Sequence, residues 1–166
     1  YSEMISIFEN EGVDLILLEM MSIPARMTPL FKCANKSSLP IWCGLSAKRE
    51  TPMAPLTSWH DTSVSFEDIV IQACQYDFDA IGIMHTSVDA IEAALVAIKS
   101  HFSGMLMAYP DSGYFVAPNW RFEDIIEPQV LLEYAKGWQK SGCFIFGGCC
   151  GLGPEHTTAL SELKSV

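Results

Sequence analysis

Residues 147–151 read GGCCG, and they close an apolar run, CFIFGGCC, at 143–150. Cysteine thiolates bind borderline and soft cations, so Cys149 and Cys150 can share one metal ion. Neighbouring residues of a regular strand point to opposite faces, so the two sulfurs converge only where the strand ends in a bend. Gly147, Gly148 and Gly151 permit such a bend, because glycine tolerates a positive φ. The same residues also read as two buried thiols beside a tight turn, and two thiolates do not complete a site. The next candidates are His85, at the end of DAIGIMH, and Glu19, at the end of VDLILLE. His85 reads as a metal ligand or as a plain rim residue, and Glu19 as a ligand contact or as the cap of a neighbouring helix. His60, His101 and His156 have weaker claims. His101 follows Lys99 near an expected helix end, where the dipole favours a cation.

These residues need elements to position them. Five short apolar runs recur, at 13–19, 40–46, 79–85, 104–110 and 143–150. Each is too short for a buried helix and lacks a 3.6-residue period, which is how strands covered on both faces read. Helix signals fall between them. Ser2 and Gly12 bracket the first, and a second starts at Ser65. A third carries apolar residues at helical spacing from Ile91 to Ile98. A fourth has Pro128 in its first turn and Gly142 past its end, and the last, over 153–166, has Pro154 at its first position. The alternation predicts an α/β fold with parallel strands, right-handed crossovers and outer helices. Glu19, His85, Cys149 and Cys150 then share the C-terminal rim of one sheet. Two long connections, 47–64 and 111–126, follow strand ends and are where binding residues concentrate. Five units suit an open doubly wound sheet or part of an eight-stranded barrel, and periodicity alone does not choose.

Composition narrows the partners. The 166 residues suffice for one domain, and 49% apolar with 18% charged residues is a globular balance. A net charge of −10 repels phosphate backbones and anionic lipid, so neither nucleic acid nor membrane is expected as a partner. No apolar run approaches the roughly 20 residues of a membrane helix. Six cysteines without a visible signal peptide read as free thiols of a cytoplasmic protein. There is no CxxC, and adjacent cysteines close only a strained disulfide, which argues against a redox pair.

The stretch GCFIFGGCCGLGPEHTTAL resembles the C-terminal signature of the homocysteine S-methyltransferase family. GVDLILLEM is similar to that family's strand ending in Glu, FDAIGIMHTSVDAI to its strand ending in Asn-Cys, and YPDSG to its YPNSG-like stretch. A Trp-to-Cys spacing before GGCC is also similar. The resemblance runs in order over nearly the whole chain. It implies the C-terminal portion, about five βα units, of a (β/α)8 barrel, with residues 1–166 forming one incomplete barrel domain. It implies a catalytic Zn2+ held by Cys149 and Cys150, with His85 where the family has a third cysteine, and Glu19 on the substrate ammonium. It implies transfer of a methyl group to homocysteine, or a similar thiol or selenol, giving methionine. The donor is a small molecule left open between S-methylmethionine, S-adenosylmethionine, betaine and a methylated folate. A homo-oligomer is a further expectation, since an incomplete barrel leaves strand edges open. A non-catalytic homologue that keeps the barrel and has lost the metal is the alternative. Besides His85, the departures are Met84 for Asn, Met20 where Thr is frequent, and Asp111 for the Asn of YPNSG.

Overall fold

The structure is a computed structural model that describes residues 1–118 and 121–163. The chain opens with α1 (Ser2–Glu11) and β1 (Ile16–Met21), followed by α2 (Pro24–Ala34) and β2 (Ile41–Leu45). A short hairpin, β3 (Ala47–Lys48) and β4 (Thr57–Ser58), precedes α3 (Phe66–Ala73) and β5 (Ala80–Ser87). A 3₁₀ turn, Val88–Ala90, leads into α4 (Ile91–Lys99) and β6 (Met105–Asp111). A second hairpin, β7 (Tyr114–Val116) and β8 (Arg121–Glu123), precedes α5 (Pro128–Lys140), β9 (Cys143–Phe146) and α6 (Pro154–Leu160). Residues 119–120, including the Trp120 of the sequence signature, and the 164–166 end of the expected last helix lie outside the described residues.

The five apolar runs form one sheet in the order β1-β2-β5-β6-β9, with every pair parallel. Its two faces differ. Ile16, Leu18, Cys43, Leu45, Ile81, Ile83, Leu106, Ala108 and Cys143 alternate onto the face under the helices and are all buried. Phe31 of α2, Ile69 of α3, Leu95 of α4 and Trp138 of α5 close over them. On the other face lie Leu17, Glu19, Trp42, Gly44, Gly82, Met107 and Tyr109, and Leu17 and Glu19 there are exposed. Gly44 and Gly82 sit side by side in the register. A Cβ on Gly44 would come 2.2 Å from the Tyr109 hydroxyl, and one on Gly82 would come 2.1 Å from Met107 Cγ. The two glycines let these long side chains lie flat across the open face.

The capping signals act where the sequence places them. Gly12 ends α1 at φ 72°, and the Ser65 side chain accepts from Asp68 N–H at the start of α3. Several sequence expectations are corrected. Helix α2 was not expected; it carries Pro29 in its middle and is held by Met27, Phe31 and Ala34, which it buries. The long connections are not loops throughout, since each folds a small antiparallel hairpin over the rim. Strands β1 and β5 run two residues past Glu19 and His85, and β9 stops at Phe146, four residues before Cys150.

Candidate metal centre

The site residues sit where the sheet loses its regular register. Pairing of β5 with β6 shifts between Met84 and Ser87, and pairing of β1 with β2 shifts between Leu18 and Met21. A bulge re-aims the side chains beside it. His85 takes φ 43° and Met20 φ 57°, a region costly for residues other than glycine and concentrated at functional sites. The buried Thr86 hydroxyl secures the β5 bulge, donating to Met84 C=O at 2.8 Å and accepting from Ala47 N–H at 3.0 Å. Met20 N–H reaches Met84 Sδ at 3.1 Å, which ties the two bulges together.

The cysteine pair is laid against the end of β6 by backbone bonds. Gly147 N–H donates to Ala108 C=O at 3.1 Å, Cys149 N–H to Pro110 C=O at 2.8 Å, and Ser112 N–H to Cys150 C=O at 3.0 Å. Gly151 turns the chain away at φ 81°, and a Cβ there would lie 2.0 Å from Ser112 O. The turn brings both sulfurs to one side, with Cys149 Sγ 3.8 Å from Cys150 Sγ. His85 Nδ1 is 3.6 Å from Cys149 Sγ, and the three donor atoms all lie within 4.8 Å of one another. Tetrahedral zinc with Zn–S of about 2.3 Å and Zn–N of about 2.0 Å has S···S edges near 3.8 Å and S···N edges near 3.6 Å. Two of the three separations match those edges and the third is within 4.8 Å, so the donor set is compatible with a zinc-sized ion with one position left over.

Burial, before any other cause, pushes the Cys149 thiol up to about 11, with Cys150 and Asp111 adding to the shift. A cation between the sulfurs would reverse this, since a coordinating thiol is deprotonated by the metal. Asp111 Oδ2 lies 3.7 Å from His85 Nδ1, and both side chains are about three-quarters or more buried, at 21% and 25% exposure. Burial raises the Asp111 carboxyl, and His85 opposes the rise.

Glu19 shares this end of the sheet but stands outside the three-donor group. It lines a cavity of roughly 230 Å³ on the open face with Trp42, Met107, Tyr109 and Gly148. It also lines a second cavity with Ser22, Arg26 and His60. Among the described residues the buried Tyr109 hydroxyl has no hydrogen-bond partner, and burial followed by Glu19 drives its pKa upward. The other histidines lie away from the group. His60 Nδ1 pairs with the buried Ser22 hydroxyl at 2.8 Å, and His101 pairs with Glu67 at 3.0 Å. His156 is buried at the start of α6, accepting from Gly153 N–H and donating to Ile126 C=O at 2.7 Å. Sequence reasoning missed Trp59, whose ring centroid is 5.0 Å from that of His85. Its only signal was an aromatic in the long connection after β2.

A parallel sheet with flanking helices and a thiol–imidazole group at its C-terminal rim defines an α/β protein built as a portion of a (β/α)8 barrel. The homocysteine S-methyltransferase family matches residues 1–163, and the chain belongs to that family. Among curated proteins no sequence matches significantly. The structure is similar to that of the homocysteine methyltransferase MmuM from Escherichia coli in three forms. The oxidized form has a TM-score of 0.72 at 21% identity, over 95% of this chain and 48% of that one. The metallated form gives 0.70 at 20%, over 98% and 52%, and the apo form gives 0.66 at 21%, over 97% and 56%. The chain thus spans about half the length of these relatives. Among the described residues, no helix is long and apolar enough to cross a membrane.

Proposed function

We propose that this chain carries the metal-holding part of a zinc-dependent methyltransferase. The enzyme moves a methyl group from an activated small-molecule donor to the thiol of homocysteine, giving methionine. The observation that carries the reading is the spacing of Cys149, Cys150 and His85, which suits a tetrahedral ion with an open position. Family membership supplies the reaction class. Bound zinc supplies a Lewis acid that keeps a thiol as thiolate near neutral pH.

The chain's own residues set the rest. Two thiolates and a neutral imidazole offset the +2 of zinc, leaving a centre near neutrality that accepts an anionic sulfur readily. Glu19 is exposed on the open face, where its carboxylate suits the ammonium of an amino-acid substrate. Trp42, Met107 and Tyr109 beside it form an apolar wall for the methylene chain between ammonium and sulfur. We read residues 1–166 as one incomplete barrel domain of a cytoplasmic enzyme, on the strength of its free cysteines and acidic surface.

The test is metal analysis of the full protein and its His85→Ala variant, paired with an assay of homocysteine methylation. Zinc near one per chain in the full protein, largely lost on mutation, supports the assignment. Equal zinc in both proteins, or none in either, overturns it.

A further inference from the structure

On its N-terminal side the cysteine turn is tied to β6 by the Gly147 and Cys149 amides. Its other side is held by His156, a residue only 3% exposed in the first turn of α6. Both ring nitrogens are in use. Gly153 N–H donates to Nδ1 at 3.0 Å, and Nε2 donates to Ile126 C=O at 2.7 Å. A backbone N–H can only donate and a carbonyl can only accept, so the two bonds fix a neutral ring with its proton on Nε2. Glu155 Oε1 stands 3.3 Å from Nδ1, but that carboxylate is 62% exposed and is left to solvent while Gly153 occupies the nitrogen.

From Ile126 the bonds run back to the metal turn. Ile126 N–H donates to the Ser112 hydroxyl at 2.8 Å, and Ser112 N–H donates to Cys150 C=O at 3.0 Å. The peptide segment from Cys150 to Gly153 completes the path. These four hydrogen bonds and that segment form one closed ring that starts and ends at Cys150. Inside it, Gly151 at φ 81° lets the chain pass close to Ser112 O. A ring of this kind restricts the Cys150 backbone and therefore the direction of its side chain. His156 is the side chain that joins α6 to the segment before α5, across 30 residues of sequence.

We infer that His156 is a positioning residue of the metal centre, acting through the turn's backbone to hold the Cys149 and Cys150 sulfurs at their spacing. The inference rests on the metal-centre reading above and adds to it a residue outside the three-donor group. It differs from a packing role in what it predicts. Thinning the packing of α6 lowers stability alone. Removing the imidazole leaves Gly153 N–H and Ile126 C=O without their partner and frees the turn, so metal affinity falls as well.

The experiment uses the full protein and four variants. His156→Leu fills a similar volume without either bond. His156→Gln keeps an acceptor for Gly153 N–H, as in a capping box, and an N–H for Ile126 C=O. Ser112→Ala opens the same ring at the Ile126 amide, and Leu160→Ala thins the packing of α6 with the ring intact. Zinc affinity is read by competition with a chromophoric chelator, and amide hydrogen exchange is read by NMR on metal-free protein. His156→Leu should weaken zinc binding about tenfold or more and speed exchange at the Ser112 and Gly153 amides by a similar factor. His156→Gln should stay within about threefold of wild type in both measurements. Ser112→Ala should weaken zinc about threefold or more, and this variant decides the matter should His156→Leu not fold. Leu160→Ala should lower the unfolding midpoint yet keep zinc affinity within about twofold. Unchanged zinc affinity in the two ring-opening variants, or an equal loss in Leu160→Ala, would overturn the inference. A wild-type protein that binds no zinc would defeat the metal-centre reading by itself. The exchange rates then decide on His156: acceleration confined to the ring amides supports it as the lock on the turn, and unchanged rates overturn it.

Discussion

In the middle of the sheet, Trp42–Leu45 pairs residue for residue with Ala80–Ile83, and Ala80–Met84 with Met105–Tyr109. Two or three residues further along, β5 slips against β6 and β1 against β2, Met20 and His85 take positive φ, and β9 gives way to the glycine-bounded cysteine turn. The difference follows from burial. The middle is covered by helices on one face, so each strand is held in the one register that buries its aliphatic set. The rim bears no such constraint, and bulges there turn side chains toward a common point. Regular pairing stabilises this molecule, and broken pairing aims its chemistry.

Mutations at the two regions should therefore separate stability from function. The largest effect is expected from Trp138→Ala in α5, beneath the sheet, which should cost about 3–5 kcal/mol in denaturant unfolding. A loss below about 1 kcal/mol would mean that α5 is not part of the core described here. Gly151→Ala should come next, at about 1–3 kcal/mol, since it forces a side chain into positive φ and onto Ser112 O. Because it pushes on the bond that fixes Cys150, it should also weaken metal binding, read by competition with a chromophoric chelator. A variant that loses stability but keeps native metal affinity would uncouple that bond from the site.

Glu19→Gln removes a charge from the open face without touching the donor group. It should raise the KM for homocysteine roughly tenfold and leave zinc content and unfolding midpoint unchanged. Loss of zinc in this variant would move Glu19 into the metal shell. The smallest effect concerns Cys143 in the covered layer, whose thiol burial pushes up to about 12. The unfolded chain ionises this thiol above about 9 and the native chain does not, so its contribution is full below that pH and is lost as pH rises toward 12. Metal-free protein should lose about 1 kcal/mol from this group by pH 10. Cys143→Ala should shrink that loss when urea midpoints at pH 8 and 10 are compared, and an identical pH response in both proteins would refute the assignment.

Much of the scaffold was legible because its signals are local. Apolar runs bounded by Gly12, Gly142 and prolines at helix starts announce βα units whatever the rest of the chain does. Helix α2 escaped because Pro29 sends the opposite local signal, overridden by packing of Met27 and Phe31 into the core. The two rim hairpins escaped because strands of two or three residues carry too little pattern to stand out.

The sequence by itself determined the covered sheet, its parallel sense and the chemical types at its rim. These depend on residues a few positions apart, and on the burial of alternate strand residues under the helices. Only the tertiary structure decided that His85 Nδ1 and Cys149 Sγ, 64 residues apart, stand 3.6 Å from each other while Glu19 stands aside. It also decided that Trp59 comes to rest against His85. Those placements hang on two bulges and on three backbone bonds between β6 and the cysteine turn. Such geometry is fixed by contacts between distant segments, and no local pattern in the chain encodes it.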